Sequence, residues 1–227
     1  MKKLTKIKLI NWHGFYDETI PVSGDILITG ENGCGKSTAL DAIYFLLSGG
    51  ETNTFNSAAN ENACRTVETY MRGKIGVEGK EYLRNDASII SHIALEFTDD
   101  GSKDKFVLGV VLEIQEGKTK PGRSFYHIKD RGLREEDYYY VNQNGKKVYC
   151  NFRAIEKNLG DTIEDISGSK ADVRKSIYSV LGLENKKYFE LLPKAIAFKP
   201  IPDVNNFVYQ FLMPQKDVEI DNIKNII

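Results

Sequence analysis

One octapeptide constrains this chain more than any other feature. Gly30-Glu31-Asn32-Gly33-Cys34-Gly35-Lys36-Ser37 fits the pattern G-x-x-x-x-G-K-[ST] at every fixed position. The pattern needs glycines because the backbone must curl until successive N–H groups point inward at phosphate oxygens, in conformations that a side chain would obstruct. The flanks agree: Asp25 to Thr29 is an aliphatic run that reads as a strand, and Thr38 to Leu47 places Leu40, Ile43, Leu46 and Leu47 at helical spacing. A helix starting near Ser37 adds the positive end of its dipole to the loop. ATP and Mg²⁺ are therefore the expected ligands. Asn32, Gly33, Cys34 and Gly35 wrap the phosphates, Lys36 reaches the β- and γ-phosphates, Ser37 takes a coordination position on Mg²⁺, and Thr38 donates to the α-phosphate. The competing reading is a plain glycine turn with an exposed lysine. For Cys34 a redox-sensing thiol competes with a small residue tolerated by a tight loop, and the absence of an adjacent second cysteine favours the latter.

Upstream, Leu4 to Asn11 alternates apolar and polar residues and Phe15 to Val22 is a second extended stretch. Downstream, Gly49 to Asn62 is a long polar connection, of a length usually reserved for functional loops. A short helix is expected over Arg65 to Arg72. Ser91 to Phe97, Phe106 to Ile114, Ser124 to Ile128, Tyr138 to Val141 and Lys147 to Cys150 are β-rich segments separated by turn signals, Asn144-Gly145 among them. Their spacing predicts antiparallel hairpins, a β-rich subdomain over about residues 88–150. Helices should follow over Phe152 to Leu159, stopped by Gly160, and over Lys170 to Leu181, between Ser169 as N-cap and Gly182. Val218, Ile223, Ile226 and Ile227 share one face of a helix expected over 216–227, beyond a lobe spanning 1–215.

Charge excludes one class of partner. With 31 basic and 32 acidic residues the net charge is -1, so there is no global attraction to nucleic acid or to an anionic membrane, and DNA contact would need a local patch. The three cysteines are scattered and odd in number, which points to a reduced, cytoplasmic setting. No run is long enough to span a bilayer.

Leu4 to Trp12, followed by Ile28-Thr29-Gly30-Glu31-Asn32-Gly33-Cys34-Gly35-Lys36-Ser37-Thr38-Ala39-Leu40-Asp41-Ala42-Ile43, resembles the amino-terminal head lobe of SMC-type ATPases. Phe55-Asn56, Arg65-Thr66, Tyr70-Met71-Arg72-Gly73 and Ala197-Phe198-Lys199-Pro200-Ile201 look most like the condensin-like subunit of Wadjet plasmid-defence systems and its MukB-like relatives. The resemblance implies an α/β P-loop NTPase lobe of ABC/SMC head type with an antiparallel β subdomain. It also implies ATP hydrolysis at a composite site, completed by a carboxy-terminal head lobe and by the second head of a homodimer. Kleisin, winged-helix and nuclease subunits, double-stranded DNA and a nucleoid or plasmid setting are further implications. The acidic pair and signature motif of such heads belong to the other lobe, and neither is found here. Ile93-Ala94-Leu95-Glu96 and Val110-Val111-Leu112-Glu113 each end in one glutamate, read as an edge or surface residue. Leu47-Ser48-Gly49-Gly50 mimics a signature sequence but reads as a helix end.

The resemblance also nominates Arg65 and Arg72 as arginines near the nucleotide, for γ-phosphate charge or for DNA, against a solvated helix face. Trp12 and His13 are candidates to pack beside adenine, against a place in the core. Gln210 and Gln215 compete for the role of sensing Mg²⁺ and the attacking water. Lys118, Lys120 and Arg123, with Lys129, Arg131 and Arg134 nearby, form a candidate DNA patch, against ordinary surface charge. Two other classes compete with an SMC ATPase: a nucleotide-dependent binding module that never hydrolyses ATP, and a small P-loop kinase with its own acidic base.

Overall fold

A computed structural model describes residues 1–53, 55, 65–75, 81–118 and 120–183. These belong to a compact unit, Met1–Glu184, and the expected helix over 216–227, Gln210, Gln215 and the Ala197–Ile201 stretch lie outside the described residues. Two strands open the chain, β1 (Lys2–Trp12) and β2 (Phe15–Pro21), and helix α1 (Lys36–Leu47) follows the glycine-rich loop. After α2 (Val67–Arg72) come β3 (Ile89–Asp99), β4 (Lys105–Ile114) and β5 (Gly122–Ile128). A small hairpin, β6 (Tyr139–Val141) and β7 (Lys147–Tyr149), precedes α3 (Phe152–Leu159), β8 (Ile163–Ile166) and α4 (Lys170–Leu181).

Six of the strands form one antiparallel sheet in the order β2-β1-β3-β4-β5-β8. The alternation along β1 explains why it lies inside that sheet. Ile7 and Leu9 join the core on one face, while Lys8 and Ile10 point to the other. Strand β4 is apolar on both sides, with Leu108, Val110 and Leu112 in one core and Val107 and Val111 in the other, as expected of a strand covered on two faces. At Gly109 a Cβ would stand 2.1 Å from the Tyr126 ring, so glycine is what admits that tyrosine between strands.

Helices α1, α2 and α4 cover the first face, and α3 with the turn at Glu135–Asp137 packs on the second. The caps are local chemistry. Ser169 and Asp172 form a reciprocal capping box, Gly182 ends α4 in the left-handed region at φ 69°, and Asn151 caps α3 through the Ala154 amide. Lys8, only 1% exposed, survives burial because its ammonium pairs with Asp17 at 2.6 Å and Glu135 at 2.9 Å.

Three expectations need correction. The β-rich segments over 88–150 are antiparallel as expected but not one separate subdomain: β3 pairs along β1 from Lys2↔Asp99 to Ile10↔His92, so β3, β4 and β5 continue the first hairpin, and β6 and β7 pair apart from them. Glu96 is no edge residue: it is fully buried, accepting from the Thr5 hydroxyl at 2.8 Å and the Leu133 amide at 2.8 Å, with Lys6 at 3.3 Å. Burial raises its proton affinity, yet those donors hold the carboxyl below its usual range. Lastly, Asp25 to Thr29 is not a strand. It pairs with no described strand, and Ile26, Leu27 and Ile28 are 45%, 86% and 38% exposed.

Candidate functional site

The loop has the conformation its glycines require. Gly30, Gly33 and Gly35 have φ of 152°, 88° and 99°. A Cβ on Gly30 would lie 2.7 Å from the Cys34 sulfur, and one on Gly35 would lie 3.1 Å from the Phe15 ring, so both positions are closed to other residues. Helix α1 starts without a side-chain cap. The amides of Gly33, Gly35, Lys36, Ser37 and Thr38 donate to no other described residue. Five donors without a partner among the described residues, at the start of a helix, are what an anion-binding loop offers. Lys36 supplies the cation: its ammonium folds back over the loop onto the carbonyls of Gly30 at 2.7 Å and Glu31 at 2.8 Å. Ser37 is exposed at the same helix end.

Residues 4–62 match the family model of the P-loop containing region of AAA domains. The P-loop region thus runs from β1 through α1, and it implies a nucleotide with its Mg²⁺ ion. The donors present fit both: backbone amides and one ammonium for phosphate, and a hydroxyl at Ser37 for the metal. No curated protein matches the chain.

The P-loop is braced from the β1–β2 turn. Phe15 packs its ring against Gly35, and Arg84, almost buried, ties the turn down by donating to the carbonyls of His13 at 2.8 Å, Met71 at 3.1 Å and Phe15 at 3.1 Å. Trp12 belongs to the core and is not placed to pack beside adenine. Trp12 is fully buried, stacked on Tyr70 at 4.4 Å, and its indole Nε1 donates to the Thr38 carbonyl at 3.0 Å. It supports the first turn of α1 from the core side. His13 is half-buried in the turn, its amide donating to the Tyr70 carbonyl at 2.6 Å; burial first, then the nearby Arg65 charge, lowers its imidazole pKa.

The two nominated arginines differ. Arg72 is committed to Glu68 at 3.0 Å, one turn back on α2, and to the Asp86 carbonyl at 3.2 Å, which removes it from the loop. Arg65 instead stands beside Tyr70, donating to its hydroxyl at 3.3 Å. Tyr70 donates in turn to the buried carboxylate of Asp41 on α1. Nothing in the sequence signals this pair, because 29 residues separate its members. Leu47-Ser48-Gly49-Gly50 is the end of α1: the Ser48 amide donates to the Tyr44 carbonyl, the Gly49 amide to the Leu46 carbonyl, and Gly49 meets the start of α4.

The nominated DNA patch breaks up. Arg123 donates to the Gly50 carbonyl at 2.9 Å and lies 5.3 Å from the Phe45 ring centroid, so its guanidinium holds the end of α1. Burial pushes its pKa down. Lys129 pairs with Glu164, and Arg131 with Asp137 at 2.7 Å. Lys118 and Lys120 remain exposed beside the Gly117 turn.

Proposed function

We infer that this chain is the ATP-binding lobe of an SMC-like ATPase head, and that catalysis requires a second lobe and a second head. The observation that carries the reading is the glycine loop whose five amides have no partner among the described residues, with the Lys36 ammonium folded over it. Two features favour a composite site over a self-sufficient kinase. Glu96 is locked in the sheet by its donors and is not available as a base. The segment leading into the P-loop also presents Ile26, Leu27 and Ile28 to solvent, as a strand would whose ladder neighbour lies on another part of the assembly.

In this reading two heads close over two nucleotides, hydrolysis reopens them, and the change is passed to DNA. The SMC assignment and its plasmid-defence branch rest on the residue pattern from Leu4 to Ile43 and on the Arg65 to Gly73 stretch. Partners follow from the same reading: a homodimeric head, kleisin and winged-helix subunits, a nuclease and double-stranded DNA, in the cytoplasm. With Arg123, Lys129 and Arg131 committed elsewhere, Lys118, Lys120 and the exposed Arg134 are the described residues left to contact DNA phosphates in that patch. Calorimetry with Mg²⁺-ATP on the isolated chain tests the binding step; turnover measured with and without an added carboxy-terminal lobe and DNA tests the rest. Steady hydrolysis by this chain alone, on a small phosphate acceptor, would replace the SMC reading with a kinase.

A further inference from the structure

The chain doubles back after α2. The Ile75 amide donates to the Glu81 carbonyl at 2.9 Å, the Leu83 amide to the Gly73 carbonyl at 3.0 Å and the Arg84 amide to the Arg72 carbonyl at 2.9 Å, so residues 81–84 return antiparallel to 72–75. That return carries one side chain beneath the β1–β2 turn. Arg84 is 6% exposed, and its guanidinium donates to four acceptors: the Asn11 side-chain oxygen at 2.9 Å and the main-chain carbonyls of His13 at 2.8 Å, Met71 at 3.1 Å and Phe15 at 3.1 Å. A planar fork with five N–H groups can meet four acceptors spread in this way, and a lysine ammonium with three cannot.

The turn is one that has to be held. Asn11 and His13 have φ of 51° and 49°, in the left-handed region that residues with a side chain keep only where their surroundings impose it. Three of the four acceptors of Arg84 belong to Asn11, His13 and Phe15, within this turn. Asn11 is also tied to β3, donating through Nδ2 to the Ile90 carbonyl at 2.8 Å and accepting from the Ser91 hydroxyl at 2.8 Å. What the turn presents to the P-loop is Phe15. Two of its ring atoms lie 3.1 Å and 3.3 Å from the place a Cβ on Gly35 would occupy, so the ring rests against the residue just before Lys36. The amides of Gly35 and Lys36 are two of the five donors without a partner among the described residues.

We propose that Arg84 is a positioning residue for the P-loop: through the β1–β2 turn and the Phe15 ring it holds the Gly35 backbone, so that the loop amides are oriented for phosphate before the ligand arrives. The proposal rests on the nucleotide-binding reading above and adds what sets the strength of phosphate binding. A loop that must be ordered on binding gives up affinity to that ordering, here about tenfold.

The test is calorimetry of the full chain with Mg²⁺-ATP and with Mg²⁺-tripolyphosphate, a probe that lacks the base, on the wild type, Arg84→Lys, Phe15→Ala, the double variant and Gly109→Ala, each with a melting curve. Arg84→Lys and Phe15→Ala should each weaken both ligands about tenfold, and the double variant should be no worse than either single, because both changes break one path. Gly109→Ala loosens the sheet away from the turn and should bind both ligands like the wild type, which separates positioning from general destabilisation. Should Arg84→Lys fold poorly, Asn11→Gly replaces it: the change removes one acceptor, keeps the left-handed backbone, and should weaken both ligands about threefold. Wild-type affinity in Phe15→Ala or in the folded variant of the clamp overturns the proposal. So does an additive loss of about a hundredfold in the double variant, or an equal loss in Gly109→Ala. A loss confined to ATP, with tripolyphosphate unchanged, overturns it too, since Phe15 would then touch the base rather than shape the loop. A wild type that binds neither ligand sinks the P-loop reading itself, a separate result.

Discussion

Two stretches of this chain that both read as strands have opposite fates. Ser91 to Phe97 in β3 is buried throughout between β1 and β4, while Asp25 to Thr29, just before the P-loop, pairs with no described strand and is exposed. The difference teaches that an aliphatic run becomes a strand only where a ladder neighbour meets its backbone donors and acceptors. In β3 both neighbours come from within the first 114 residues. The run before the P-loop finds none among the described residues, and that is the strongest physical reason for expecting a second lobe.

The contrast can be attacked from its buried side first. Glu96→Gln replaces the buried carboxylate that the partly exposed Lys6 and Lys105 face and weakens its hydrogen bonds, and should cost about 2 kcal/mol in denaturant unfolding. Its pH dependence gives a sharper signature. The folded carboxyl is depressed, so its contribution is complete above the unfolded value of about 4.3 and is lost as pH falls through the lower folded value. The Gln variant should lack that part of the acid slope.

On the P-loop side, Lys36→Ala should weaken ATP binding about a hundredfold in calorimetry while barely moving the melting temperature. Ordinary ATP affinity in that variant would remove the basis of the functional reading. Gly109→Ala probes the sheet again. The added methyl collides with Tyr126 and should cost about 2 kcal/mol, with no effect on nucleotide affinity. The smallest effect on the isolated chain is expected from Leu27→Ser: within about 0.5 kcal/mol in stability, because the side chain is already in water. Yet the same change should weaken capture of an added carboxy-terminal lobe in a pull-down. Equal capture of both proteins would break the comparison, since the exposed run would then have no partner to lose.

Elements specified by local chemistry were legible residue by residue. Helices α3 and α4 fall on the ranges read from Gly160, Ser169 and Gly182, because caps act within one turn. The glycine pattern foretold the positive φ of the P-loop, since those angles are nearly closed to other residues. Strand β8 was missed: Ile163-Glu164-Asp165-Ile166 is apolar at its ends only and owes its place to β5. Trp12, Glu96 and Arg123 misled because an isolated sequence does not tell an aromatic or charged side chain aimed at a ligand from one aimed at a buried carbonyl or donor.

What the amino-acid sequence determined by itself is whatever depends on contacts a few residues apart: the curl of Gly30–Ser37, the helix caps, and the alternation that makes β1 a strand. Tertiary structure alone decided the merging of two hairpin groups into one sheet, the burial of Trp12 beneath Thr38, and the meeting of Asp41, Tyr70 and Arg65. Those outcomes bring together residues tens of positions apart, and their energy comes from desolvation and hydrogen bonds that exist only once the chain has closed on itself.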